Sequence, residues 1–393
     1  MSTMQSDRPY GERIKLLWGV PPSFIVPPNP DPNDPKLPAP PAGTSRYYLS
    51  TPSGHLELLY GLPGHATIDY PVENTWKAPI LFLHGGFGSA NCYSNFLPWF
   101  AERGYPVYAL SLRGHGRSWR PSYWAMYFTT KGTLAEDVAA ALQFICKRHP
   151  SSGPLTLVGH SAGGGLSQYV VGKGKAEGVG KLVILGGFPN FGGWGVYWNW
   201  FKLDPWMLFR MVWDLYHPRS PLSSTRLVHR AFFSPTYPAE KVQTFEAEMS
   251  SYESMAWPIG MMYTFISRKS VLTNLSKHAT SNTNSTAPTR HPQVLVVAGA
   301  QDRLMSVPIM KRLANKYAAT NVGIGAKMTL GMRDVSLAQD GFMSGVVETD
   351  EEKQANTRGV WFAEIKAPGA GHNLMRDDGW ERCANVVEAF LNE

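Results

Sequence analysis

Leu155-Thr-Leu-Val158-Gly159-His160-Ser161-Ala162-Gly163-Gly-Gly165 decides how this chain is read. Leu155 to Val158 is short, apolar and β-branched at its end, the pattern of a strand buried on both faces. The five residues that follow fit G-x-S-x-G, and a glycine-rich segment able to form a helix comes next. In that setting the serine sits on a sharp strand-to-helix turn that exposes its hydroxyl. Small residues two positions to either side let the backbone turn without a clash. The helix that begins there aims backbone N–H groups at developing negative charge. A lone pentapeptide of this kind also arises by chance as a plain glycine turn, so its partners must be found.

A serine hydroxyl attacks only when a base takes its proton. That base is expected downstream, on another loop at the same sheet edge. Of the 11 histidines, only His372 follows a late strand (Val360 to Ile365) inside a glycine-rich loop, Gly369-Ala-Gly-His-Asn373. The base needs a carboxylate to fix its tautomer. Asp302 ends Val294-Leu-Val-Val-Ala-Gly-Ala-Gln-Asp302, just past another strand; the rival position after Lys181 to Leu185 reads Gly186-Gly-Phe-Pro-Asn190 and offers no acid. The plain alternative for Asp302 is a helix N-cap, a role Ser306 could fill. His84-Gly85-Gly86-Phe87-Gly88 follows the strand Pro79 to Leu83. Its backbone N–H groups, together with that of Ala162, can form an oxyanion hole, with either Gly86 or Phe87 as the second donor. His84 and His160 adjoin this machinery and are carried as substrate-contact candidates, with a supporting structural role as the plainer reading.

Outward from these residues the chain alternates strand and helix, as a parallel sheet does. Strands are predicted at Val107 to Leu112, Leu155 to Val158, Lys181 to Leu185, Val294 to Ala298 and Val360 to Ile365. Helices are predicted at Asn95 to Arg103, Thr133 to Arg148, Val307 to Tyr317 and Glu381 to Leu391. Residues 190–265 differ, with 18 aromatics and repeated prolines, and read as an inserted helical lid that ends in a polar linker, Ser276 to Pro292. Trp194 and Trp198 are its candidate substrate contacts. Ten prolines between 21 and 41 make an extended surface arm, and Gly323 to Gly359 forms a second insertion. The expected organisation is an arm over 1–45, a core over 46–188 and 292–393, and a lid over 189–291.

Composition sets the outer limits. The chain has 393 residues, 43% of them apolar and 17% charged, which excludes wholesale disorder and a long solvated coiled coil. Three cysteines (Cys92, Cys146, Cys383) form neither a disulfide framework nor a zinc pattern, so no metal is expected and a reducing compartment fits. The first residues lack the apolar run of a signal peptide, and no stretch approaches the length of a membrane span, so a cytoplasmic location is expected. On that ground Asn274-Leu-Ser276 and Asn284-Ser-Thr286 are read as chance glycosylation sequons. The net charge of +7 is scattered with no basic run, which argues against a nucleic-acid reader. Composition says nothing of oligomeric state.

The order Ser161, Asp302, His372, with His84-Gly85-Gly86 upstream, resembles the α/β-hydrolase fold. Leu112-Arg-Gly-His-Gly-Arg-Ser118 is similar to the R-G-x-G-x-S loop of its lipase, esterase and haloperoxidase-like branch. The match covers roughly residues 55–188 and 292–393. It implies a mostly parallel central sheet flanked by helices with an inserted lid. By resemblance Ser161 is nucleophile, His372 base then acid, and Asp302 the orienting acid, with no organic cofactor. The chain departs from the family in its proline-rich arm and in the 70 positions between Asp302 and His372. Opening of epoxides and dehalogenation need an Asp where Ser161 stands. The expected reaction is cleavage of an ester or lactone of a bulky, apolar small molecule. Thioester, amide and carbon–carbon substrates would use the same residues, and a non-hydrolytic cyclase, isomerase or binding role on this fold stays open.

Overall fold

The computed structural model describes residues 25–34, 39–69, 75–279, 293–320, 332–334 and 359–393. A nine-stranded sheet organises them, built from β1 (Ser45–Thr51), β2 (Gly54–Gly61), β3 (Ile80–Leu83), β4 (Val107–Leu110), β5 (Leu155–His160), β6 (Val179–Leu185), β7 (Val294–Gly299), β8 (Met332–Asp334) and β9 (Val360–Ile365). The spatial order is β1-β2-β4-β3-β5-β6-β7-β9-β8. Only β1 with β2 and β2 with β4 pair antiparallel; every other pairing is parallel.

Sequence explains this arrangement locally. Parallel strands are covered by helices on both faces, so they carry unbroken apolar runs. Ile-Leu-Phe-Leu in β3 and Val-Leu-Val-Val-Ala-Gly in β7 are such runs, and every residue of both is buried. Helices α1 (Phe96–Ala101), α2 (Tyr123–Tyr127), α3 (Lys131–Arg148) and α4 (Ser161–Gly172) follow in the first half. α3 starts where the Thr130 hydroxyl caps Thr133 N–H, and it buries Leu134, Val138, Ala141, Leu142 and Ile145. That i, i+4, i+7, i+8, i+11 spacing is one helical face turned to the core.

Between β6 and β7 stand α5 (Trp194–Leu203), α6 (Met207–Trp213), α7 (Thr225–Phe232), α8 (Ala239–Glu248), the single turn α9 (Ala256–Ile259) and α10 (Arg268–Ala279). α10 packs on α4 and β6. α11 (Val307–Ala318) and α12 (Trp380–Leu391) complete the cover. The described part of the proline-rich arm is irregular and lies against the loop at Arg120, whose backbone N–H donates to the Asn29 side chain at 2.5 Å. Most of the polar linker, the sequon at Asn284 and nearly all of the 323–359 insertion lie outside the described residues. The other sequon asparagine, Asn274, is part of α10 and donates to the Val171 carbonyl at 2.8 Å. All three cysteines are free thiols. Among the described residues no helix is long and apolar enough to cross a membrane, and no cluster of side chains could hold a metal ion.

Candidate active site

Parallel strands that leave the sheet at one edge bring their following loops together. β5 ends at His160 and α4 begins at Ser161, with no residue between them. The serine therefore adopts φ +51°, left-handed backbone that a side chain rarely takes. Two glycines make that turn possible. A Cβ on Gly163 would sit against the His84 carbonyl and 2.8 Å from that of Leu83, and one on Gly159 would lie 2.7 Å from the Gly163 carbonyl. The spacing of small residues in the pentapeptide is thus a steric requirement of the elbow against β3.

The structure brings Ser161, His372 and Asp302 together. His372 Nε2 lies 2.8 Å from Ser161 Oγ, and His372 Nδ1 lies 2.7 Å from Asp302 Oδ2. A carboxylate only accepts, so Nδ1 carries the proton and the Nε2 lone pair faces the hydroxyl. Asp302 is itself fixed, because its Oδ1 accepts from the backbone N–H groups of Leu304 at 2.8 Å and Met305 at 2.9 Å. The glycine after β6 makes room for this arrangement: a Cβ on Gly186 would lie 3.0 Å from Asp302 Oδ2 and 3.5 Å from His372 Nδ1. Phe232 stacks on the imidazole with ring centroids 5.8 Å apart. The loop carrying His372 is held by buried Asp377, which accepts from Gly371 N–H, Ser234 N–H and the Ser234 hydroxyl, each at 2.7 Å.

His84 and His160 do not reach the cavity beside Ser161. His84 Nδ1 donates to the Gly85 carbonyl at 2.7 Å while Nε2 accepts from Leu112 N–H at 3.1 Å. His160 Nε2 donates to the His372 carbonyl at 2.9 Å. Burial holds both rings neutral, well below the ordinary histidine range, helped by a neighbouring histidine in each case. Both rings bond to loop backbone and lie outside the cavity lining. Trp194 and Trp198 are likewise turned away, outward into solvent; Tyr197 and Trp200 of the same helix face the cavity instead.

Glu253 is the residue that sequence reasoning missed. It lies in the inserted segment, buried, and its Oε2 accepts from Phe87 N–H at 2.7 Å and from His115 Nε2 at 2.9 Å. Phe87, at φ +61°, therefore directs its N–H to a carboxylate and not toward Ser161. Of the two donors considered after β3, Gly86 is the one left for an oxyanion. His115 Nδ1 donates to the Arg113 carbonyl at 2.9 Å. With both ring nitrogens donating, the imidazole is the charged form. Burial is the largest single influence and lowers the His115 pKa, but the charge and hydrogen bond of Glu253, the Arg113 carbonyl and the Asp137 charge together outweigh it, and the net shift is upward. No local pattern marks Glu253, since its partners are 138 and 166 positions away.

The cavity next to Ser161 holds about 180 Å³ and is lined by Gly86, Phe87, Ala162, Phe188, Val196, Tyr197, Trp200, Met207, Met211, Leu222, Phe232 and Trp257 among others. Glu253, with its carboxylate already bonded, is the one carboxylic acid among the described lining residues. Such a site can receive an apolar molecule whose carbonyl carbon is presented to a hydroxyl already bonded to a base.

The sequence model of the alpha/beta hydrolase fold matches residues 78–322, more than half of the chain. A serine hydrolase-like protein of Dictyostelium discoideum is 35% identical over 101 residues, 25% of this chain and 25% of that one. A non-heme chloroperoxidase of Streptomyces lividans is 34% identical over 111 residues, 28% of this chain and 37% of that one. The matches thus span less than half the length of these relatives. Among solved structures, a thermostable carboxyl esterase of Bacillus coagulans superposes with a TM-score of 0.54 at 12% identity, covering 89% of this chain and 98% of that one.

Proposed function

The chain belongs to the α/β-hydrolase fold family, and on that premise we propose that it is a serine hydrolase opening a carboxylic ester or lactone of a bulky, apolar small molecule through an acyl-enzyme. One observation carries the reading: a half-buried hydroxyl on strained backbone, 2.8 Å from an imidazole whose other nitrogen is bonded to a buried carboxylate. The reading also assigns residues 1–45 to an arm, 46–188 and 292–393 to the catalytic core, and 189–291 to a lid.

In the first half-reaction Ser161 Oγ attacks the carbonyl carbon as His372 Nε2 takes its proton. The imidazolium is stabilised by Asp302. The carbonyl oxygen gains the negative charge and is held by the N–H groups of Ala162 and Gly86. Collapse of the tetrahedral species breaks the bond to the alcohol oxygen, and His372 Nε2 protonates the departing alkoxide. The acyl group remains on Ser161. Water then attacks, giving its proton to His372, and the second tetrahedral species releases the acid with the proton returned to Ser161. The apolar lining supports a bulky acyl or alcohol part, because aromatic and Met side chains supply buried area but few polar contacts.

Thioester, amide and carbon–carbon bonds would pass through the same three residues. A panel of p-nitrophenyl esters of graded acyl length, with lactones and thioesters alongside, separates them. The central test is a fluorophosphonate probe: it should label Ser161, and Ser161→Ala should lose both labelling and turnover, by about a millionfold in rate, with an unchanged fold by circular dichroism. Wild-type protein that is folded yet unlabelled and inactive on the whole panel would favour a binding role for the fold.

A further inference from the structure

The two helices that roof the cavity are apolar on both faces. α5 buries Val196, Asn199 and Leu203, and α6 buries Met207. Their outer side carries Trp194 (59% exposed), Trp198 (61%), Trp206 (67%) and Phe209 (70%), with Leu208 and Val212 beside them. A helix on a water-facing surface ordinarily turns polar side chains outward. The aromatics also touch one another: Trp206 meets Phe209 at 5.6 Å between ring centroids, Trp198 stacks on Phe201 at 5.5 Å, and Trp194 meets exposed Tyr263 at 5.9 Å. An apolar face of this kind marks an interaction site.

The polar residues around it are cationic. Lys202 is exposed at the end of α5, and Arg303 is exposed beside Leu304, whose carbonyl accepts from Asn199 of α5 at 2.9 Å. From α11, Arg312 and Lys316 lie 4.8 and 5.6 Å from the ring of Phe191, just ahead of α5. Residues 191–213 contain one acid, Asp204, which is buried and ion-paired with Arg210; residues 303–320 contain none.

We propose that the outer face of α5 and α6 docks on the surface of an anionic phospholipid bilayer. Trp and Phe side chains favour the boundary between headgroups and acyl chains, and the cations at the rim are placed to meet anionic headgroups. A second copy of the chain is the poorer occupant, since a two-fold contact through this face would set the basic rim against itself. The face is continuous with the cavity: Tyr197, Trp200 and Met207 of the same two helices line it. An apolar substrate could then pass from the bilayer to the roof of the cavity without crossing bulk water. The inference needs no chemistry at Ser161 and stands or falls apart from it.

Flotation of the full chain with vesicles tests it, comparing phosphatidylcholine containing phosphatidylserine with pure phosphatidylcholine. Wild type and Ser161→Ala should float alike with the anionic vesicles, and salt should weaken that binding. Trp206→Ser/Phe209→Ser should weaken vesicle binding by at least about tenfold while hydrolysis of a water-soluble ester stays at the wild-type rate. Lys202→Glu/Arg312→Glu, which spares the apolar contacts, should lose the preference for anionic vesicles. Wild-type protein that stays in the aqueous phase would overturn the proposal. So would a lipid-free dimer that the aromatic variant converts to monomer, or variants that float as well as wild type.

Discussion

Glu253→Gln separates the charge of Glu253 from its shape. The carboxylate makes three contacts inside the fold: with Phe87 N–H at 2.7 Å, with His115 Nε2 at 2.9 Å and, through Oε1, with Ser254 N–H at 2.7 Å. Gln keeps the volume and one acceptor oxygen but removes the counter-charge of a buried imidazolium. Losing one partner of a buried ion pair costs about 3–5 kcal/mol, softened here because His115 can shed its proton. The sign of the pH dependence follows from the upward His115 shift. A histidine that binds its proton more tightly when folded stabilises fully below its unfolded value of about 6.5, and that contribution is lost as pH rises through the folded value. The gap in thermal midpoint between wild type and Glu253→Gln should therefore be widest at and below pH 6.5 and should close on going alkaline. His84 and His160, held neutral mainly by burial, act in the opposite sense in both proteins, and only the part of the His84 shift that comes from the His115 charge differs between them.

The same substitution bears on turnover through Phe87, whose backbone Glu253 holds beside Gly86. Gln can still accept from Phe87 N–H, so kcat should stay within about tenfold of wild type, whereas Glu253→Ala frees the loop, and misplacement by about 1 Å costs on the order of a hundredfold. The readouts are calorimetry at several pH values, the His115 ring-proton titration by NMR, and kcat against KM for both variants. A thermal gap that is constant from pH 6 to pH 9, or a His115 midpoint identical in wild type and Glu253→Gln, would refute the pairing argument.

Asp302→Asn should lower kcat by about four orders of magnitude with little change in KM, because an amide in place of Asp302 no longer fixes the Nδ1–H tautomer; steady-state kinetics on the best ester checks this. Gly163→Ala should lower both stability and turnover, since a methyl group there lies 2.8 Å from the Leu83 carbonyl and closer still to that of His84; overpacking of this kind costs about 1–3 kcal/mol, read as a fall in thermal midpoint alongside kcat. On the proposed function, esters with bulky acyl groups should exceed acetates in kcat/KM, since the cavity lining is mostly apolar, and a preference for acetate would count against the proposed lid as a substrate surface.

Much of the core was legible because its signals are local. β3, β5, β7 and β9 are buried along nearly their whole length, and such strands must be written as apolar runs. The elbow at Ser161 was legible for a steric reason, in that only glycine fits at positions 159 and 163. Position relative to strand ends then sufficed to select His372 and Asp302 as candidates. The inserted helices gave no such signal. An amphipathic helix shows which side faces in by the contrast between its faces, and α5 has almost none: Trp194 and Trp198 point out while Tyr197 and Trp200 point in. Tryptophan content therefore picked out the segment between β6 and β7 but not which of its side chains line the cavity. Glu253 left no trace for a different reason, since a single acid becomes informative only when His115 and Phe87 are known to meet it.

The 70 positions between Asp302 and His372 show why topology outweighs chain length in building such a site. β7 and β9 are parallel neighbours from Val294↔Val360 to Gly299↔Ile365, so the loops after them leave the sheet side by side. The segment between them therefore has only to bring the chain back to the start of β9; part of it forms β8, which pairs with the far edge of β9. β8 adds a strand on the side of β9 away from β7. Closing a longer loop is inexpensive, about 0.6 kcal/mol for each doubling of its length. The 2.7 Å contact between Asp302 and His372 is set instead by the register of two strands, the Leu304 and Met305 N–H groups on Asp302, and Asp377 beneath the His372 loop. Asp377→Ala should accordingly loosen the site far more than shortening the insertion, which kcat and fluorophosphonate labelling rates of the two variants would show; equal losses would mean that the insertion itself holds the histidine in place.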